Sequence, residues 1–419
     1  MTPRLRALVI AASLAAIPPA ALAAEPGAAR PGWLPPDEAI LQALEQTPAV
    51  AAARARLSGA EAEARQLSSG PYETTVRGQW DRRTVRADRD YPEWNVEVSR
   101  GVRLPGKGAL DRQAGAAGVR SAQDGLEDAR HHASLDLVGL WIDWLAAAER
   151  ATVDRAELET YAADVKALAR RVELRDASAL ELEQAQAAEA RARLTAAQAV
   201  GAERTARVAL ASLVPSLAPA TAQPLPDPVA PVRALELWPE IIKQRSHEVS
   251  GARAMADKAR ALALRSARDR VPDPIIGLRT FREFNGQESG AGVYVQVPFG
   301  GALRSAAAAR AAATAGEAEA QHAEIARQID LEARSSVIAT QTAFDAARDA
   351  KTACEASRAA ARRVGRAYQL GEQGLSERLL SERQAFDACR IELQARADAH
   401  RAIMRLALDA HEFWLDDED

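Results

Sequence analysis

The chain has 419 residues, a formal net charge of −4, and 47% hydrophobic residues against only 4% aromatic ones. Much of the apolar share is alanine, which buries little area, so a thick globular core and with it a compact enzyme are poorly supplied; long, closely packed helices suit it better. Mixed charge of both signs leaves no basic footprint, so no nucleic-acid partner is expected.

Arg4 and Arg6, the apolar stretch from Ala7 to Ile17 and the small-x-small Ala21-Leu22-Ala23 read as a secretory signal spanning 1–23. Its apolar part is too short to span a bilayer. No cysteine lies near the cut, so a lipid anchor there is not expected. Beyond the signal no run of 18 apolar residues occurs, so no helical membrane span is expected either.

Long helical stretches follow at 37–69, 107–174, 177–213, 234–271 and 302–413, the last broken at Gly371-Glu372-Gln373-Gly374. In the second, Leu135, Val138, Ile142 and Leu145, then Leu158, Tyr161, Val165, Leu168 and Val172, recur at three- and four-residue steps, the seam of a coiled coil. Between helices the period changes to two. Tyr72, Thr74, Val76, Gly78 and Trp80 alternate with polar residues, as do Trp94, Val96, Val98, Val102 and Leu104. Ile276, Leu278 and Thr280, then Val293, Val295, Val297 and Phe299, repeat the pattern. Such alternation fits barrel strands between lipid and water, or ordinary amphipathic hairpins.

Each half runs helix, strand, strand, long helix, turn, helix. Gly108-Ala109-Leu110 corresponds to Gly301-Ala302-Leu303, and Arg175-Asp176-Ala177-Ser178 to Gly371-Glu372-Gln373-Gly374. The chain therefore divides into the signal, a first repeat at 24–214, a proline-rich linker at 215–233, a second repeat at 234–413 and an acidic tail at 414–419. Single-chain barrels start at about 8 strands and open edges do not survive in lipid, so four strands must be completed by other copies. Three copies would supply twelve. The fold class expected is mainly α with a small β part: a two-fold repeat of long coiled-coil helices plus four strands of a trimeric, twelve-stranded outer-membrane β-barrel.

Tyr368-Gln-Leu-Gly371-Glu-Gln-Gly-Leu-Ser-Glu377-Arg-Leu-Leu380 and the weaker Asp176-Ala-Ser178-Ala-Leu-Glu181-Leu carry a resemblance to the TolC family of outer-membrane efflux proteins, over nearly the whole mature sequence. Ser99-Arg-Gly-Val-Arg-Leu-Pro105-Gly-Lys107-Gly and Val297-Pro298-Phe-Gly-Gly-Ala resemble that family's strand-to-helix junctions, and Leu-Pro-Gly-Lys-Gly is similar to its heavy-metal, CzcC-like branch. The resemblance implies a homotrimer with a barrel in the outer-membrane lipid bilayer and a long periplasmic tunnel. A periplasmic adaptor and an inner-membrane pump of the RND type would be its partners, and small molecules, metal ions or proteins its cargo. It also implies that the two helix turns form a constricted periplasmic tip, with Glu181, Glu377 and Tyr368 at family gate positions. The family's basic tip residue falls on Gln373 and a second acid on Leu380, which leaves a simple acidic ring. The two acids could equally cap their own helix N-termini.

No nucleophile elbow, phosphate loop or zinc spacing appears, so neither an enzyme nor a cofactor is expected. His131 and His132 diverge by about 100° on a helix and are not expected to share a metal ion. Scattered Glu/Arg pairs read as solvated helix flanks, and His411 to Asp419 as a solvated acidic terminus. Cys354 and Cys389 lie equally far from the Gly371-Glu372 turn, either as a disulfide across the hairpin or as two inert buried thiols. The alternative for the whole chain is a periplasmic coiled-coil scaffold or adaptor without a membrane barrel.

Overall fold

The computed structural model describes residues 31–217, 222–231 and 233–414. The signal at 1–23, part of the proline-rich linker and nearly all of the acidic tail lie outside the described residues. Two copies of one plan follow each other. The first is α1 (Asp37–Glu45), α2 (Pro48–Ser69), β1 (Thr74–Thr84), β2 (Asp90–Gly101), α3 (Lys107–Glu173) and α4 (Ala179–Leu213). The second is α5 (Trp238–Arg245), α6 (His247–Arg268), β3 (Ile275–Glu283), β4 (Glu288–Gln296), α7 (Ala302–Gln369) and α8 (Leu375–Asp409). Matched elements have nearly equal lengths: 22 residues in α2 and α6, 67 and 68 in α3 and α7, 35 in α4 and α8. That agreement identifies an internal duplication.

Each half differs from the sequence expectation at one matched place. The single helix expected at 37–69 breaks before Pro48, which has no N–H to continue the ladder and biases Thr47 to extended backbone. Thr47 turns its hydroxyl back to the Leu44 carbonyl at 2.7 Å. The helix expected at 234–271 breaks at Ser246, whose Oγ accepts the Val249 N–H at 3.2 Å and starts α6. Among the described residues no helix is long and apolar enough to cross a membrane.

The strands form one antiparallel sheet in the order β1-β2-β3-β4. Its register places Val76, Val98, Leu278 and Val293 in one row across all four strands. All four are exposed, Val76 at 67% and Val293 at 70%. Ile276 faces Val295 on the next row of the same face, and Trp80 faces Trp94 two rows away on the other side. The opposite face carries Arg77, Glu97 and Arg279 in a row, with Glu97 and Arg279 3.8 Å apart. One face is thus apolar and uncovered, the other polar. β1 and β4 are both open edges within the chain. The fourth strand stops at Gln296, short of the expected Val297 and Phe299, because Pro298 cannot donate to a ladder.

At about 1.5 Å per residue the 67 residues of α3 run about 100 Å. Large apolar side chains concentrate at the waist, where the short helices meet the long ones. Leu34, Ile40, Leu44, Val50, Leu137 and Trp144 belong to one cluster there, and Trp238, Ile242 and Leu406 to a second. Along the shafts the buried positions shrink to alanine, as at Ala185, Ala192, Ala196 and Ala199 of α4. Cys354 of α7 and Cys389 of α8 are disulfide-bonded, their Cα atoms 4.7 Å apart, across a 35-residue loop that includes the turn.

Sheet and shafts join at one ion cluster. Lys107 is the first residue of α3 and 2% exposed. Its Nζ donates to Asp273 at 2.8 Å and to the Val271 carbonyl at 2.8 Å, and pairs with Asp269 at 2.9 Å. Asp273 also accepts the Leu104 N–H at 2.9 Å and the Tyr72 hydroxyl at 2.8 Å. Burial pushes the Asp273 carboxyl up, but the bonds from Lys107, Leu104 and Tyr72 outweigh it and hold the group below the usual range. Burial and the Asp273 contact push the Tyr72 phenol up to about 12. Arg103 ties the same region to the end of α2, donating to the Leu67 and Ser68 carbonyls at 3.0 and 2.8 Å and to Asp111 at 2.6 Å.

A Lys107→Met variant strands the buried Asp273 carboxylate and leaves the more exposed Asp269 with Arg265 as its cation, and it is expected to lose about 3–5 kcal/mol, read as a lowered thermal midpoint by circular dichroism. Because the folded Asp273 is depressed, its share of that difference is complete above the ordinary Asp value of about 3.9 and disappears as pH falls through its lower folded value. A variant as stable as the wild type at neutral pH would remove the cluster's stabilising role. The disulfide predicts two thiols per chain that react with an alkylating reagent only after reduction. Free thiols in protein purified without reductant would contradict it.

Candidate functional site

The two hairpin turns, at the far end of the shafts from the sheet, hold the residues singled out at family gate positions. Both turns close the same way. The Arg175 N–H bonds to the Val172 carbonyl and the Asp176 N–H to that of Arg171, at 2.9 and 2.8 Å. In the second turn Gly371 bonds to Tyr368 and Glu372 to Ala367, at 3.0 and 2.9 Å. This double closure needs a left-handed residue after the helix. Gly371 adopts φ +78° without strain, whereas Arg175 adopts φ +61° with a side chain attached.

The next helices begin under their own glutamates. Glu181 Oε2 accepts the Ser178 N–H at 2.8 Å, and Ser178 Oγ accepts the Glu181 N–H at 3.1 Å, a reciprocal capping box. Glu377 Oε2 accepts the Gly374 N–H at 3.4 Å, and Gly374 has no side chain to return the bond. Both acids therefore occupy the capping role. Glu377 is exposed and Glu181 half-buried, so the charge of each still reaches solvent. Gln373 is exposed in the turn, and Leu380 is 54% exposed.

Two arginines stand beside the tip, bonded to Tyr368 and to acids other than Glu181 and Glu377. Arg171 of α3 donates from Nη1 to the Tyr368 hydroxyl at 3.1 Å and from Nε to Asp176 at 2.8 Å. Arg378 of α8 sits over the Tyr368 ring, 5.1 Å from its centroid, and donates to Asp164 at 2.6 Å and Glu382 at 2.9 Å. Basic groups are present at the tip, but they come from the shafts rather than from position 373. Tyr368 lies between two guanidinium groups, one from each hairpin.

Arg378 is also the first rung of a ladder. Higher on α8, Arg390 reaches Asp154 at 2.7 Å and Glu157; Arg396 reaches Glu149 at 2.6 Å; Arg401 reaches Asp143. As the α8 number rises the α3 number falls, as antiparallel helices require. Asp154 is fully buried. Burial raises the carboxyls of Glu157 and Glu382 despite their arginine partners, and hydrogen bonds and charges from their acids raise Arg378 and Arg390 against the opposing effect of burial. Pairs within one helix, such as Arg327 with Glu324, are exposed flanks, whereas these pairs join one hairpin to the other. Composition concealed them because each partner stands more than 200 positions away.

Two further expectations change at the waist. His411 is buried and Trp414 donates to Asp37 at 2.8 Å, so the tail's start is packed rather than solvated. His131 and His132 do converge, together with Glu248.

No protein-family model matches the chain, and no curated protein matches it. Solved structures do. The CmeC outer membrane channel of Campylobacter jejuni superposes with a TM-score of 0.74 at 14% identity, covering 91% of this chain and 86% of that one. The outer membrane protein VceC of Vibrio cholerae gives 0.75 at 18% identity, over 90% and 96%. The open state of the MtrE outer membrane channel of Neisseria gonorrhoeae gives 0.74 at 17%, over 91% and 89%.

The chain has the fold of these outer-membrane channels. Within this fold the Tyr368 cluster stands at the end of the shafts remote from the strands. An Arg378→Gln variant leaves Asp164 and Glu382 facing each other without their cation. Limited proteolysis is expected to cut it at the 371–374 turn several-fold faster than wild type, with the waist still protected. Equal cutting rates would mean that Arg378 does not hold the tip.

Proposed function

We propose that this chain is one subunit of an outer-membrane efflux channel: three copies close a twelve-stranded barrel in the outer membrane, and their shafts continue as a periplasmic tunnel. The observation that carries this reading is the sheet, with its uncovered apolar row, its polar back and its two open edges, attached to helices about 100 Å long. Open edges and an exposed Val/Leu/Trp face are costly in water and are relieved together by closure with other copies inside lipid. The fold likeness to outer-membrane channels supports it. A coiled-coil scaffold or adaptor outside the membrane would leave that face without a partner, and no observation favours it.

Within this reading the protein works with a periplasmic adaptor and an inner-membrane pump of the RND type and passes small molecules or metal ions. Its periplasmic gate is the tip built around Glu181, Glu377, Tyr368 and Gln373. A capping carboxylate keeps its charge, so the acids serve both the helix N-termini and, repeated in three copies, a ring that favours cations. Widening the tip would move one hairpin against the other and break the contacts of Arg171 and Arg378 to Tyr368 and Asp164.

Mature protein is expected to fractionate with the outer membrane as a trimer and to form conducting pores in planar bilayers. A soluble periplasmic monomer would end the channel reading. In the same bilayers a Glu181→Gln, Glu377→Gln double variant is expected to lose much of its cation preference, and unchanged selectivity would dismiss the ring while leaving the channel intact.

A further inference from the structure

The chain has six histidines, and four of them, His131, His132, His247 and His411, gather at one place on the waist. α3 supplies the first two, the start of α6 the third, and the segment after α8 the fourth. Neighbouring helix positions do point about 100° apart at Cβ. The imidazoles nevertheless lean together, with ring centroids 5.6 Å apart, toward Glu248 one residue into the first turn of α6. One ligand atom from each of His131, His132 and Glu248 can be chosen so that all lie within 4.8 Å of one another.

His131 is the informative member. It is 7% exposed, and its Nε2 lies 3.3 Å from Asp409 Oδ1. That contact leaves Nδ1, a buried nitrogen without a hydrogen-bond partner. A ring nitrogen held by a carboxylate on one side and vacant on the other is the arrangement of metal-ligating histidines. Glu248 is held similarly: the Ser246 hydroxyl donates to its Oε2 at 2.6 Å. Asp128, one turn before His131 and His132 on the same face of α3, keeps a buried Oδ1 without a partner. Asp128 and Glu248 thus bring two carboxylates to the histidine pair.

We infer that His131, His132 and Glu248 bind a divalent transition-metal ion of the class that prefers imidazole and carboxylate, such as Zn2+, with Asp128 as the nearest additional donor. Bonds of about 2.0–2.2 Å require ligand atoms about 3.3 Å apart, so ion binding draws the present spread of up to 4.8 Å in by about 1.5 Å. His132 is exposed and free to swing, and provides the entry side. Because α3 belongs to the first repeat and α6 to the second, the ion clamps one half against the other. All three ligands lie in one chain, so the inference is independent of the transport reading.

The test is Zn2+ binding to purified full-length mature protein, stripped with chelator, by competition with a chromogenic zinc indicator. One tight site per chain is expected, together with a raised thermal midpoint and, with Co2+ substituted, a visible absorption band of a low-coordinate nitrogen–oxygen site. His132→Gln and Glu248→Gln should each weaken binding by at least about tenfold, while His322→Gln, outside the cluster, should not. His132 is exposed, so its variant is expected to keep the wild-type circular dichroism spectrum. No stoichiometric Zn2+ in the wild type, or undiminished affinity in both ligand variants, would overturn the inference.

Discussion

Lys107 places an ammonium group where it is all but shut off from water, and much of the molecule's geometry follows from what that charge requires. A lone buried cation is prohibitively costly, so acids must come to it. They come from the second repeat, Asp269 and Asp273, at the point where α6 hands over to β3. Tyr72, before β1, binds the same Asp273. The start of α3, the start of β1 and the start of β3 are thereby fixed to one carboxylate. Four strands and four helices leave this junction in opposite directions, and small errors in angle there would be multiplied along shafts of about 100 Å.

The shafts answer a different constraint. Alanine seams let helices approach closely but supply little apolar burial per residue. The arginine ladder from α8 to α3 compensates with directional contacts. Arg390, held by buried Asp154 together with Glu157, cannot slide by a turn without stranding all three charges. Such pairs fix register more than they add stability, since each has a desolvation cost to meet. The large apolar residues are kept for the waist, where several elements meet and a small core can form.

Much of this was legible in the sequence because the signals were periodic or local. The duplication, the four strands and the two turns all rest on spacings within a few residues, and Gly371-Glu372-Gln373-Gly374 marks a turn on its own chemistry. The helix breaks at Pro48 and Ser246 were also local, but the apolar pattern continues through both and masked them. The tip network was not legible. Its cations, Arg171 and Arg378, look like ordinary helix-surface arginines, and only the antiparallel meeting of α3 with α8 makes them neighbours of Tyr368. The histidine cluster was hidden for the same reason: His131 and His132 follow each other on one helix, and Glu248 stands on another.

The duplicated halves have not remained equivalent, and the difference bears on assembly. Of the 67 residues of α3, 21 are buried, whereas the 68 of α7 bury five. α3 is flanked within the chain by α2, α6, α4 and α8, while α7 packs mainly on α8 and α6 and leaves a long face of alanine uncovered. α4 is similarly bare, with five buried residues. In a ring of alternating halves, one seam between halves lies inside each chain and the next falls between chains. The inner seam is the one secured here by Lys107 and the arginine ladder. In the proposed trimer the uncovered faces of α7 and α4, and the open edges β1 and β4, would all belong to the outer seam. Alanine there allows a neighbouring helix to come close without a large apolar patch being exposed before assembly. In the proposed trimer the same division of labour would explain why the ion clusters lie inside the chain: each subunit would have to hold its two halves in register before meeting other copies.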